Sequence, residues 1–138
     1  MLDHVGIRVG DYERSKEFYA AALAPLGYTL AMERSEGAGF RSRHVPDFWV
    51  KQGKPVGGAG HVEPHELAGC GGAAVHVAFA AEDRAAVDAF HRAAIAAGGR
   101  DNGAPGPRPE YHPNYYGAFV LDPDGYNVEA VCHDQEPS

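Results

Sequence analysis

The sequence predicts an α+β fold. Two paired βαβββ units form a strongly curved mixed sheet around a cup, with the helices on its convex side. Three observations lead there. First, the chain repeats itself: His4-Val5, Asp11, Phe18, Ala21-Ala22, Leu23 and Gly27 return 72 residues later as His76-Val77, Asp83, Phe90, Ala93-Ala94, Ile95 and Gly99. A repeat of this kind marks two copies of one supersecondary unit that share a core. Second, each copy opens on residues alternating with the period of a half-buried strand and continues with helical spacing. Third, 138 residues of which 44% are hydrophobic make one ordinary domain, so the copies build a single body.

Along the first copy, Val5, Ile7 and Val9 fall on one strand face and His4, Gly6 and Arg8 on the other. Asp11 follows as an N-cap, because its carboxylate can accept from the open amides of the first helical turn. Ser15, Phe18, Tyr19, Ala22 and Leu23 lie at helical spacing, and Pro25 with Gly27 ends the helix. Strands are expected near Tyr28–Glu33, Gly39–Arg43 and Asp47–Lys51. The second copy repeats the plan. Val75, Val77 and Phe79 oppose His76, Ala78 and Ala80; Asp83 caps; Val87, Phe90, Ala94 and Ile95 form the apolar stripe before Gly98-Gly99. Its strands are expected near Arg100–Asn102, Tyr116–Leu121 and Tyr126–Val131, the last two joined by the strong turn signal Asp122-Pro123-Asp124-Gly125. Residues 1–52 and 73–133 are thus the two units of one domain spanning 1–138, and the glycine-rich stretch 53–72 links them. A loop from Gly103 to Asn114, stiffened by four prolines, carries Arg108, Tyr111 and His112.

The bulk composition excludes several classes of function. The net charge is −7 with no basic stripe, which argues against nucleic acid. Apolar runs are too short to cross a bilayer. Met1-Leu2-Asp3-His4 has neither the basic start nor the apolar stretch of a secretion signal, and Cys70 and Cys132 read as reduced thiols, so a cytoplasmic protein is expected.

The chemistry concentrates on one strand face. His4 and His76 point away from the core residues of their strands, and in the last strand Asn127, Glu129 and Val131 share the corresponding face. Two imidazoles and one carboxylate on a rigid sheet can hold a divalent metal (Fe, Mn, Ni, Co or Zn) and leave positions open for water or substrate. Alignment of Asp47–Val50 with Asn127–Ala130 sets Trp49 opposite Glu129. Tryptophan cannot bind a metal, so the expected sphere is three protein ligands, and Trp49 offers an aromatic wall to a flat substrate group. Arg8, on the face of His4, is the candidate for a substrate anion. Acid–base groups are expected from His112 and from Tyr115 or Tyr116. Alternation lets only one of the two tyrosines face inward, and Tyr116 is the preferred one, with Tyr115 left to line the substrate site.

These residues resemble the vicinal oxygen chelate superfamily, also called the glyoxalase, bleomycin-resistance and extradiol dioxygenase family. The resemblance runs over nearly the whole chain, through Asp3-His4-Val5-Gly6-Ile7, the helix with Ser15, Phe18 and Tyr19, His76-Val77-Ala78-Phe79, and the closing Asp122-Pro123-Asp124-Gly125-Tyr126-Asn127-Val128-Glu129. It implies paired βαβββ units, a divalent metal on His4, His76 and Glu129, chelation of that metal by two neighbouring substrate oxygens, and a homodimer. With tryptophan at position 49 the chain is similar to the three-ligand branches, which include extradiol dioxygenases and fosfomycin-modifying enzymes. The implied activity is metal-dependent lyase, isomerase, transferase or dioxygenase chemistry on a small molecule. The alternative is a metal-free protein that sequesters a small molecule or antibiotic.

Overall fold

The alternating start of the chain forms β1 (Val5–Val9), which buries Ile7 and Val9 and turns Gly6 and Arg8 the other way. A computed structural model describes residues 1–55 and 75–134. From residue 56 onward the expected linker lies outside the described residues. Helix α1 (Tyr12–Leu23) starts where expected: Asp11 accepts from the Arg14 amide at 3.1 Å. Its buried stripe is Tyr12, Ser15, Phe18, Tyr19, Ala22 and Leu23. A 3₁₀ turn over Ala24–Leu26 follows, and Gly27 closes it at φ +82°, in the left-handed region glycine adopts without penalty. Strands β2 (Thr29–Arg34), β3 (Gly37–Arg41) and β4 (Phe48–Gln52) complete the unit.

The second unit runs β5 (His76–Ala80), α2 (Arg84–Ala96, capped by Asp83), β6 (Arg100–Pro107), β7 (Tyr116–Leu121) and β8 (Asn127–Cys132). The described strands form two four-stranded sheets, ordered β1-β4-β3-β2 and β5-β8-β7-β6. In each, the first strand runs parallel to the last and the other pairs are antiparallel. Both units are therefore βαβββ, as predicted. The register also bears out the internal alignment: Gly6 faces Trp49, and Ala78, 72 residues on from Gly6, faces Glu129.

Two local expectations need correction. The strand expected at Arg100–Asn102 continues to Pro107, into the segment read as a loop. Register shifts between Asp101 and Gly103 and between Gly103 and Gly106 let it stay beside β7 despite its prolines. The repeat also slips by one residue at the helix end. Gly98, with φ +97°, takes the left-handed place of Gly27, whereas Gly99 is pressed against Val120, the Ala94 carbonyl and Phe18.

One core serves both units. Helices α1 and α2 pack together, and an aromatic run crosses the boundary: Tyr19 lies 4.9 Å from Phe48, Phe48 5.1 Å from Phe79, and Tyr28 5.3 Å from Phe79. Each such ring pair adds about 1 kcal/mol beyond the area it buries. The closing turn fastens the units with polar bonds as well. Tyr19 donates to Asp122 at 2.6 Å, the Gly10 amide to Asp124 at 3.0 Å, and Tyr126 to the Arg8 carbonyl at 2.6 Å. Among the described residues no helix is long and apolar enough to cross a membrane.

Candidate functional site

On the first sheet, strand register sorts the face away from the helices into rows. One row crosses four strands as Gly6, Trp49, Gly39 and Met32; the next, two residues along, as Arg8, Lys51, Gly37 and Arg34. Glycines on both sides of Trp49 leave room for its ring. A Cβ on Gly39 would sit 2.9 Å from the indole Cη2, so the ring lies across that glycine. The result is a cavity of about 840 Å³ with Trp49 on its floor and His4, Arg8, Arg34 and Lys51 around it, within the size range of small-molecule sites. His4 is exposed at its margin, with Nδ1 2.6 Å from Asp3.

On the second sheet the equivalent positions hold a tighter cluster. Glu129 is buried, 2% exposed, and a buried carboxylate needs partners. It has two: His76 Nε2 lies 3.0 Å from Oε2, and the Tyr115 hydroxyl donates to Oε1. The other ring nitrogen of His76, Nδ1, is 3.1 Å from the Asn127 carbonyl, which only accepts, so Nδ1 carries a proton. The imidazole is stacked 6.3 Å from Phe119. Hydrogen bonding to Glu129 outweighs burial and raises the His76 pKa. Burial, then Glu129, lifts the Tyr115 phenol above its usual range. The proline-rich segment positions this tyrosine: the Arg108 amide donates to the Tyr115 carbonyl at 2.8 Å, closing a turn that sets the side chain over Glu129.

The structure thus brings His76 and Glu129 together, with Tyr115 joining them. It does not bring His4 to them. Among the described residues no three His, Cys, Asp or Glu side chains form a group able to hold a metal ion, so one chain by itself does not gather the expected triad. The preference for Tyr116 is corrected: its hydroxyl donates to Asp88 on α2 at 2.8 Å and its ring lies under Arg84, on the helix side of the sheet. Tyr115, just ahead of β7, faces Glu129 instead. His112 is exposed; its Nδ1 accepts from the Asn114 amide at 3.2 Å, and its ring meets His133 edge-on, which in turn meets Tyr115. Trp49 and Arg8 line the first-sheet cavity. Sequence reasoning missed Lys51 and Arg34; the signal for Lys51 was its two-residue spacing from Trp49 along one strand.

The geometry can be set beside that of known proteins. The family model of the glyoxalase/bleomycin resistance protein/dioxygenase superfamily matches residues 1–130. The chain is similar to the crystal structure of a glyoxalase/bleomycin resistance protein from Albidiferax ferrireducens at 28% identity and a TM-score of 0.72, covering 96% of this chain and 98% of that one. A putative glyoxalase from Bacillus halodurans matches at 25% identity and a TM-score of 0.65, over 96% and 95% of the two chains. The fosfomycin resistance protein FosX from Mesorhizobium loti shares the fold, with a TM-score of 0.65 and 18% identity over 97% of this chain and 92% of that one. No curated protein matches. Two βαβββ units in one core, with the match running almost end to end, make this chain a member of the glyoxalase/bleomycin resistance protein/dioxygenase superfamily.

Proposed function

We propose that the protein is a metal-dependent enzyme acting on a small oxygen-chelating substrate, and that two copies of the chain complete each centre. His76 and Glu129 of one subunit would hold a divalent ion (Fe, Mn, Ni, Co or Zn), and His4 of the partner subunit would add the third ligand. One observation carries this reading. With Nδ1 committed to the Asn127 carbonyl, neutral His76 presents a bare Nε2 lone pair to a carboxylate oxygen 3.0 Å away. Two acceptors face each other there, an arrangement that calls for a cation between them, either a proton or a metal. A histidine whose far nitrogen is tied to a carbonyl is also the usual form of a metal ligand.

When bound, such an ion acts as a Lewis acid on a substrate oxygen. The chain's own groups do the rest. Tyr115 orients Glu129 and holds a proton at Oε1, in the role the sequence had suggested for Tyr116. Trp49 supplies a flat wall and Arg8 a charge for the substrate. The pairing of subunits is supported by the repeat itself. His4 and Trp49 hold the positions of His76 and Glu129 on the other sheet, so a two-fold dimer that sets the first face against the second builds two equivalent centres. A reducing, cytoplasmic compartment fits the free buried thiol of Cys132.

Complementation tests the proposal. Wild-type protein should take up about one ion per subunit, and His4→Ala and His76→Ala should each lose most of that uptake. Heterodimers of the two variants keep one centre in which both histidines are native, so they should recover about half of wild-type uptake. Heterodimers that recover nothing would overturn the shared centre. Undiminished uptake in both single variants would overturn the metal assignment and favour a metal-free binder.

A further inference from the structure

The protein is acidic, with net charge −7, yet the cavity on the first sheet is cationic. Arg8, Lys51 and Arg34 lie in one cross-strand row along its wall, against a single carboxylate, Glu36. None of the three cations is ion-paired with a carboxylate among the described residues. Gly37 takes the remaining place in the row, and the Lys51 side chain runs past it, with Cγ 3.7 Å from where a Cβ on that glycine would lie. Arg8 is held as well as placed: a Cβ on Gly53 would meet its Cδ and a guanidinium nitrogen at 3.0 Å, so the arginine lies across that glycine.

The neighbouring row carries Trp49 laid over Gly39. Two residues along a strand separate the rows by roughly 7 Å. A flat apolar surface therefore sits one short step from a row of three positive charges lining the same cavity. Like charges in one row repel, and the hydrogen bond from Arg34 Nη2 to the neutral sulfur of Met32, at 3.7 Å, does not offset that repulsion. Arg34 and Lys51 are exposed, and the bond from Tyr12 to Arg34 uses the backbone carbonyl only. An anion between them relieves that repulsion, and the guanidinium groups suit carboxylate, phosphate or phosphonate oxygens.

We infer that the substrate is an aryl anion: a molecule whose flat ring stacks on Trp49 and whose carboxylate, phosphate or phosphonate group is held by Arg8, Lys51 and Arg34. This deepens the proposed function, since the same cavity would face the metal centre, but the binding itself needs neither the metal nor a second chain. A single chain supplies every residue in the two rows.

The test uses phenylphosphonate, benzyl alcohol and inorganic phosphate as probes, each titrated into the whole protein with a chelator present. Trp49 is the only tryptophan, so its emission reports the cavity directly. Phenylphosphonate should change that emission and bind at least about tenfold more tightly than either benzyl alcohol or phosphate alone. Its affinity should fall with added salt, and by about tenfold or more in Arg34→Gln/Lys51→Gln. Equal affinity for benzyl alcohol, a salt-independent affinity, or an unchanged affinity in the double variant would overturn the inference. Because metal uptake is measured separately and these titrations exclude metal, the two failures are distinguishable. Lost complementation with phenylphosphonate binding intact removes only the shared centre, and the reverse removes only the anion site.

Discussion

Asp122 is a buried carboxyl at the joint between the two units, and its titration should be visible in the stability of the whole fold. It is 2% exposed. Burial dominates and pushes its pKa from the ordinary 3.8 up to about 6, against the opposing effect of hydrogen bonds from Tyr19 and from the Tyr126 and Asp124 amides. The folded state therefore binds this proton more tightly than the unfolded chain. Between about pH 4 and pH 6 the native protein carries more protons, so this group makes stability fall as pH rises through that window and leaves it level above. A rise from 3.8 to about 6 corresponds to about 3 kcal/mol. Asp122→Asn mimics the protonated form: its side-chain oxygen still accepts from the Asp124 and Tyr126 amides, both at 2.9 Å in the native protein, and its amide can donate to Tyr19. Urea unfolding of both proteins from pH 4 to pH 8 isolates the effect, because the other carboxyls cancel in the difference. The two should be about equally stable at pH 4, and the variant about 3 kcal/mol more stable at pH 7. A difference that stays constant with pH, or one that favours the wild type increasingly as pH rises, would refute the reasoning.

Two further outcomes follow from the same geometry. Tyr115→Phe removes the donor to Glu129 Oε1 and should weaken metal uptake about tenfold, whereas Tyr116→Phe should leave uptake unchanged and cost about 1 kcal/mol through the lost bond to Asp88. Metal titration and thermal denaturation of the pair separate these roles, and reversed results would return the inward position to Tyr116. At the end of α2, a Cβ on Gly99 would lie 2.5 Å from Val120 Cγ1 and 2.9 Å from the Ala94 carbonyl oxygen, while one on Gly98 meets nothing within 4 Å. Gly99→Ala should therefore cost about 3 kcal/mol from overpacking, and Gly98→Ala only about 1–2 kcal/mol from its left-handed backbone; denaturation midpoints in the opposite order would contradict this packing.

Much of the fold was legible because local signals repeat. Asp11 and Asp83 each cap a helix, the alternation at Ile7 and Val9 marks a buried strand face, and Trp49 and Glu129 prove equivalent in register as they were in alignment. The errors fall where periodicity stops carrying information. Around Tyr115 and Tyr116 two adjacent tyrosines leave the phase of the strand open, and only the pairing of Tyr116 with Cys132 and its bond to Asp88 resolve it. Strand β6 hides among prolines because bulges, which depend on the neighbouring strand, keep it paired. The Asp122–Gly125 turn was legible as a turn, but not as the clasp that reaches Gly10 and Tyr19.

The sequence by itself determined the two βαβββ units, their caps, and which side chains β1, β5 and β8 turn away from the helices, because these depend on spacing within a few residues. Only the tertiary structure decided which of those side chains meet. It sets His76 against Glu129 and Tyr115, leaves His4 beside Trp49 on another sheet, and aligns Arg8, Lys51 and Arg34 across strands far apart in the chain. The reason is physical: a residue's face follows from its own backbone, whereas its partners follow from how two sheets pack on one shared core.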